Sequence, residues 1–78
     1  MNKIKNVVIY TRDRCLYCIK AKTLLALKKV QYQEINLSQE TEEKMAEMLQ
    51  RSGGRKSVPQ IFHEKKHIGG YDDLLLAL

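Results

Sequence analysis

The sequence predicts an α/β fold in which a four-stranded mixed β-sheet is flanked by three helices. Three observations support this prediction. Strand-like and helix-like segments follow one another in the order βαβα and then ββα. A helical crossover implies a parallel strand pair, whereas the short polar turn near the end implies an antiparallel hairpin. With 78 residues, 44% of them hydrophobic and 29% charged, the chain has the size and composition of one small globular domain, residues 1–78.

The individual elements are predicted from the spacing of apolar residues. The first helix is defined by apolar residues at helical spacing, namely Cys18, Ala21, Leu24 and Leu25. Gly53-Gly54 ends the second helix. The second strand is the least regular, since its apolar residues alternate imperfectly. The predicted strands are residues 4–10, 30–36, 58–63 and 66–68, and the predicted helices are residues 16–29, 38–51 and 72–77.

The most informative motif is Cys15-Leu16-Tyr17-Cys18, which contains both cysteines of the chain. It follows the first predicted strand and opens the first predicted helix. A C-x-x-C motif at such a turn in a βαβ unit indicates a thiol–disulfide site. A thiol at a helix N-terminus lies near unpaired backbone N–H groups and the positive end of the helix dipole. Both stabilise the thiolate, which is the form that attacks disulfides.

We predict that Cys15 is the nucleophile and Cys18 the resolving thiol. Their three-residue spacing places both side chains on one face of a helix, so that they are able to form a disulfide across the turn. Cys15 is expected in the first turn with its sulfur exposed, and Cys18 is expected to be more buried. Arg12 and Arg14 flank the motif and are expected to lower the pKa of the Cys15 thiol further. Asp13 is a candidate cap of the first helix.

The residues alone leave alternatives open for this motif. The cysteines are either redox-active or a buried structural pair, although a disulfide closing so short a loop adds little entropic stabilisation. A zinc site requires four ligands, and only His63 and His67 on the distant predicted hairpin could complete it, so no metal is expected. Tyr17 either packs against a ligand or covers Cys18.

A second group of candidate residues follows the second helix. Ser57-Val58-Pro59 contains the only proline of the chain, which marks either a sheet edge or a cis peptide bond. A cis bond would free the Val58 backbone to pair with a peptide-like ligand beside Cys15.

The segment Gly69-Gly70-Tyr71-Asp72-Asp73 predicts a flexible turn into the last helix. Its N–H groups suit a carboxylate, and Asp72 or Asp73 could instead accept from a ligand ammonium. The residues alone favour a simpler interpretation, in which Asp72 is the N-cap of the helix.

Charge and hydropathy argue against several other classes of protein. The net charge of +5 is spread along the chain with few aromatic residues, so nucleic-acid binding is not expected and a basic surface attracting anionic ligands is favoured. We find no signal-peptide pattern and no apolar run near the roughly 20 residues of a membrane span. Two cysteines are too few for a secreted disulfide framework. We therefore expect a cytoplasmic, monomeric protein without membrane partners.

Together these motifs resemble the glutaredoxin family, specifically its small bacterial dithiol members, which have a thioredoxin-like fold. The resemblance covers nearly the whole chain, and its specificity comes from the order and spacing of individually weak motifs. These motifs are Tyr10-Thr11-Arg12, Cys15-x-Tyr17-Cys18, Arg55, Val58-Pro59-Gln60-Ile61-Phe62, His67-Ile68-Gly69-Gly70 and Asp72-Asp73.

The resemblance implies glutathione-dependent thiol–disulfide exchange, with glutathione as co-substrate and disulfide-containing or glutathionylated proteins as partners. Cys15 would attack the mixed disulfide of a protein with glutathione, release the protein thiol and hold glutathione until a second glutathione regenerates the enzyme. With protein disulfides, Cys18 would resolve the intermediate.

The resemblance also implies how glutathione binds. The peptide bond before Pro59 would be cis, and Val58 would pair with the cysteinyl backbone of glutathione. The γ-glutamyl end would meet Gly70, Asp72 and Asp73.

At the other end of the ligand, Arg12 and Arg55 would face the glycyl carboxylate, and Tyr17 would line the pocket. Two residues depart from the family pattern. Leu16 stands where dithiol members usually have proline, which adds an N–H group and loosens the turn. Tyr71 replaces a residue that is often small or a cysteine, so we expect a narrower pocket.

Two alternative functions are compatible with the resemblance. One is a redoxin reduced by thioredoxin reductase that donates electrons to ribonucleotide reductase, which the glutathione-pocket residues disfavour. The other is a dimer holding a [2Fe–2S] cluster between two Cys15 thiolates and two glutathiones. Visible absorbance of protein isolated without oxygen distinguishes the cluster-binding dimer from a colourless monomer.

Overall fold

The computed structural model describes residues 4–78, so the part of the signal-peptide prediction that concerns residues 1–3 lies outside the described residues. A 3-10 turn at Leu37–Gln39 precedes the second helix. None of the helices within the described range is both long and apolar enough to span a bilayer. The strands are β1 (Val7–Thr11), β2 (Tyr32–Asn36), β3 (Gln60–His63) and β4 (Lys66–Gly69), and the α-helices are α1 (Leu16–Leu27), α2 (Glu42–Ser52) and α3 (Tyr71–Ala77).

The four strands form one mixed sheet in the order β2-β1-β3-β4. β1 and β2 are parallel, and α1 forms the crossover between them. β3 pairs antiparallel with both β1 and β4. The predicted fold class is therefore confirmed, because the crossover supplies the parallel pair and the hairpin extends it.

Several predicted boundaries are wrong by a few residues, for local reasons. β1 begins at Val7 because Asn6 adopts a left-handed conformation with φ 53°, and α1 ends before Lys29, whose φ is 58°. α2 begins at Glu42 rather than at residue 38, since the Asn36 side chain accepts from the Ser38 N–H and stabilises the 3-10 turn instead.

Alternate residues of β1 face two separate hydrophobic clusters, as strand geometry requires. Ile9 belongs to the cluster covered by α1 and α3, to which Leu25 and Leu74 contribute. Tyr10 belongs to the cluster covered by α2, to which Met48 contributes. All five side chains are fully buried. The helices thus sandwich the sheet, with α1 and the cysteines at its N-terminus on one face.

A buried polar contact fastens α2 to the sheet. The Tyr10 hydroxyl donates to Glu47 Oε2 and accepts from Arg51 Nη1 at 2.8 Å. Burial, followed by the hydrogen bond to Glu47, raises the pKa of Tyr10, while Arg51 opposes this. The hydrogen bond from Tyr10 lowers the pKa of Glu47, with Lys44 and Arg51 contributing. The charged partners therefore satisfy a phenol that would otherwise be buried alone.

Candidate active site

Cys15 is the N-cap of α1 and lies at the end of the loop that follows β1. Its backbone is extended, with φ −112° and ψ 104°, and its carbonyl accepts from the Ile19 N–H at 3.1 Å. Its Sγ lies 3.1 Å from the Cys18 backbone nitrogen and accepts from that N–H. The sulfur therefore takes the position at which a capping oxygen usually satisfies a free N–H group of the helix.

The prediction that Asp13 caps α1 is wrong. Asp13 Oδ1 instead accepts from Asn36 Nδ2 at 2.9 Å, and the Asp13 N–H donates to Ser38 Oγ at 2.9 Å. Asn36 is the last residue of β2 and Ser38 lies in the 3-10 turn that follows it, so these contacts tie the loop before Cys15 to the end of the neighbouring strand. The first turn of α1 contains no acidic residue, and the Cys18 N–H of that turn meets the sulfur of Cys15 instead.

The two cysteines are joined by a disulfide, with their Cα atoms 5.2 Å apart. This confirms that the three-residue spacing allows a bond across the turn. Cys18 is only 2% exposed, whereas Cys15 is partly exposed, so the predicted difference in accessibility is also present. An external thiol or disulfide therefore has access mainly to the sulfur of Cys15.

The peptide bond between Val58 and Pro59 is cis, which resolves the choice that the residues alone left open. Cys15 Sγ lies 3.9 Å from the Val58 carbonyl oxygen. A Cβ added to Gly70 would lie 3.6 Å from the Pro59 carbonyl oxygen. The segment before β3 therefore lies between the nucleophile and the turn into α3.

A shallow groove of about 180 Å³ lies beside this segment. Its walls come from three parts of the chain: the start of α1, the loop before β3 and the start of α3. Six of the residues predicted to bind glutathione are among its lining residues, together with two that the prediction left out. The lining residues are Tyr17, Arg55, Ser57, Val58, Pro59, Gly70, Tyr71 and Asp72.

The rings of Tyr17 and Tyr71 meet at the edge of this groove. Their centroids are 5.9 Å apart with the planes tilted by 46°, and Lys20 Nζ lies 5.0 Å from the Tyr17 centroid. Tyr17 remains 53% exposed. The exposed ring of Tyr17 therefore forms part of the groove wall.

Two of the predicted residues do not line the groove. Arg12 donates to the Lys56 carbonyl at 3.3 Å and to Met45 Sδ at 3.4 Å, which places its guanidinium between the loop before β3 and α2. Asp73 Oδ2 accepts from the Gly70 N–H at 3.0 Å. Gly70 is the N-cap of α3, so the interpretation of Asp72 as the N-cap is wrong.

The histidines, which the sequence offered as zinc ligands, make separate contacts. His63 Nδ1 lies 2.7 Å from the Lys5 carbonyl, and His67 Nε2 lies 2.7 Å from Gln60 Oε1. Burial, followed by the positive charge of Arg55, lowers the pKa of His67, while Asp73 opposes this. Within residues 4–78, no three side chains of His, Cys, Asp or Glu lie together as a metal site.

Comparison with known proteins agrees with this geometry. The Glutaredoxin family model matches residues 7–68. The chain is 49% identical over 76 residues to Glutaredoxin 1 of Rickettsia prowazekii (strain Madrid E), covering 95% of this chain and 80% of that protein. It is 51% identical over 69 residues to Glutaredoxin 3 of Escherichia coli (strain K12), covering 88% and 81% respectively.

Solved structures of glutaredoxins are also similar. The solution structure of a glutaredoxin from Brucella melitensis superposes with a TM-score of 0.74 at 48% identity, covering 96% of this chain and 79% of that one. The crystal structure of a buckwheat glutaredoxin–glutathione complex superposes with a TM-score of 0.79 at 35% identity, covering 90% and 64%. As its motifs predicted, the chain belongs to the glutaredoxin family.

Proposed function

We propose that this protein is a glutathione-dependent thiol–disulfide oxidoreductase that reduces protein disulfides and mixed disulfides of proteins with glutathione. Family membership and the bonded cysteine pair support a redox role. The observation that carries the dependence on glutathione is the position of Cys15 Sγ, 3.9 Å from the Val58 carbonyl, with Val58 lining a shallow groove next to it.

Cys15 is the nucleophile in this proposal because α1 stabilises its thiolate. In the reduced protein, the Cys18 N–H that meets Cys15 Sγ is available to the thiolate, and so is the positive end of the helix dipole. The Cys15 thiolate attacks the glutathione sulfur of a mixed disulfide. The protein leaves as a thiolate and Cys15 holds glutathione. A second glutathione thiolate attacks that bound sulfur, which releases glutathione disulfide and regenerates the Cys15 thiolate.

Cys18 acts as the resolving thiol on protein disulfides. Because Cys18 is 2% exposed, it is reached by the adjacent Cys15 sulfur rather than by an external partner. Cys15 first forms a mixed disulfide with one sulfur of the substrate, releasing the other as a thiolate. Cys18 then attacks the Cys15 sulfur and releases the fully reduced substrate. Two glutathiones reduce the resulting Cys15–Cys18 disulfide and leave as glutathione disulfide.

The charges around the groove suit glutathione, which has two carboxylates and one ammonium. Val58 supplies backbone groups for the cysteinyl unit, in the manner of an added strand. Arg55 meets the glycyl carboxylate, and Arg12, which contacts the backbone of Lys56, adds positive charge behind it.

At the other end of the groove, Gly70 and Asp72 meet the γ-glutamyl group. Asp73 contributes by holding the Gly70 N–H, and Pro59 and Tyr17 form the adjoining walls. The net charge of +5 favours the approach of an anionic tripeptide.

Protein substrates would dock on the exposed start of α1. Leu16, Tyr17 and Ile19 are 63%, 53% and 55% exposed, and they surround the accessible cysteine with an apolar surface. We propose that the protein works as a monomer in the cytoplasm, where glutathione keeps thiols reduced. Faster reduction of its disulfide by thioredoxin reductase than by glutathione would instead favour a role as a thioredoxin-reductase-dependent electron donor.

Substitution of Arg55 tests whether glutathione binds in the groove. We expect Arg55→Gln to raise the KM for the mixed disulfide of glutathione with 2-mercaptoethanol by roughly fivefold, equivalent to about 1 kcal/mol for one solvent-exposed charge contact. Lys56→Gln is the matched control, since it removes the same charge from the next residue, whose side chain does not line the groove. Equal KM values for the two variants would contradict this placement of glutathione.

A further inference from the structure

A completely buried amide underlies the segment that lines the groove. Gln60 is the first residue of β3 and is 0% exposed. Its Nε2 donates to the Ser57 carbonyl at 3.0 Å and lies 3.2 Å from Ser57 Oγ, while its Oε1 lies 2.7 Å from His67 Nε2. The side chain thus connects β4 to the loop that carries Val58 and Pro59.

The chemistry of these groups permits only one arrangement of hydrogens. The Ser57 carbonyl is purely an acceptor, so it must face the Gln60 amide nitrogen rather than its oxygen. Gln60 Oε1 must then face His67, and His67 Nε2 must bear a proton to donate to it. The orientation of the amide is therefore set from both ends.

His67 is itself held rigidly. Its ring stacks on Phe62, with centroids 4.9 Å apart and planes 28° apart, and the two residues are partners in the β3–β4 register. The lowered pKa of His67 favours the neutral ring, which is compatible with a single N–H on Nε2. Arg55 and Asp73, whose charges act on His67 in opposite directions, both belong to segments bordering the groove.

We propose that His67 and Gln60 are positioning residues for glutathione. They act through Ser57 to hold the Ser57-Val58-Pro59 segment against Cys15, without contacting the ligand themselves. The inference rests on the proposed function and deepens it, because it attributes the orientation of the Val58 backbone to the hydrogen bonds from His67 on β4 to Gln60 and from Gln60 to Ser57. Loss of these hydrogen bonds should weaken binding of the glutathione moiety and leave the thiolate chemistry of Cys15 unchanged.

The test compares His67→Leu, which keeps the bulk but removes the donor, with His67→Gln, which restores an N–H donor of similar reach. For the mixed disulfide of glutathione with 2-mercaptoethanol, we expect His67→Leu to raise KM about tenfold, equivalent to about 1.4 kcal/mol, with kcat within about twofold of wild type. His67→Gln should bring KM back to within about threefold of wild type.

Ile9→Val controls for general loss of stability, since Ile9 is fully buried on the other face of the sheet from Tyr10 and Phe62. It should lower Tm without changing KM. An unchanged KM in His67→Leu, or an equal rise in Ile9→Val, would overturn the inference. A wild-type protein with no turnover would contradict the proposed function instead.

A measurement on the wild type decides the same point if His67→Leu does not fold. Nitrogen chemical shifts of the His67 ring at neutral pH should identify the Nε2–H tautomer. The Nδ1–H tautomer would overturn the inference, because Gln60 Oε1 would then face a ring nitrogen without a proton.

Discussion

Replacement of Cys15 by serine is expected to reduce turnover of a small glutathione mixed disulfide to less than about a thousandth of the wild-type rate. The serine hydroxyl is not ionised near neutral pH. The helix N-terminus, which stabilises the Cys15 thiolate, therefore does not produce a comparable nucleophile from serine. Cys18→Ser should retain much of the wild-type rate with the same substrate, because the exchange with glutathione passes through Cys15 alone. The measurement is steady-state turnover with reduced glutathione in excess.

A protein disulfide as substrate further distinguishes the nucleophilic role of Cys15 from the resolving role of Cys18. With a protein disulfide as substrate, Cys18→Ser should lose most of its activity, since the mixed disulfide between Cys15 and the substrate is no longer resolved from within. The thermal unfolding midpoints of the reduced proteins provide the control for folding. An inactive Cys18→Ser together with an active Cys15→Ser would show that the roles are reversed.

Substitution of Gly69 should have the second largest effect. Gly69 has φ 123°, which lies outside the small left-handed region open to other residues, and it is buried. An added Cβ would lie 2.7 Å from Asp73 Cγ and closer still to Oδ2, the atom that accepts from the Gly70 N–H. We expect Gly69→Ala to lower the free energy of unfolding by about 3 kcal/mol and to displace the turn that carries Gly70. Urea denaturation of the reduced protein measures the loss.

Gly53→Ala is the control for backbone strain alone. Gly53 caps α2 with φ 72°, within the left-handed region, and no atom of residues 4–78 lies within 4 Å of an added Cβ. Its expected cost is about 1 kcal/mol. Similar losses of stability in the two alanine variants would show that the contact with Asp73 does not contribute.

Much of the fold follows from local patterns. The crossover formed by α1 and the polar turn near Glu64 and Lys65 are sufficient to predict the mixed sheet. The start of α2 was harder to predict, because the Asn36 side chain accepts from the Ser38 N–H and stabilises a 3-10 turn at that position instead. Such side-chain contacts compete with regular structure at individual residues and leave little trace in apolar periodicity.

For the candidate active site too, some features could be predicted from the sequence and others could not. The paired cysteines were predicted from a local motif, and the residues around the groove from the resemblance of ordered motifs. The cap of α1 was mispredicted, since the Asp13 carboxylate is taken by Asn36, 23 residues away. The partnership of Gln60 with His67 depends on the register of two strands, so the sequence alone did not reveal it.

The ionisation of Cys15 in the reduced protein tests the central claim most directly. In the Cys18→Ser variant only one thiol remains, and the pH dependence of its alkylation by iodoacetamide reports its pKa. Because the sulfur caps α1, we predict that the pKa of the Cys15 thiol is lowered well below that of an unperturbed cysteine. A pKa close to about 8.5, the value of an unperturbed cysteine, would contradict the account.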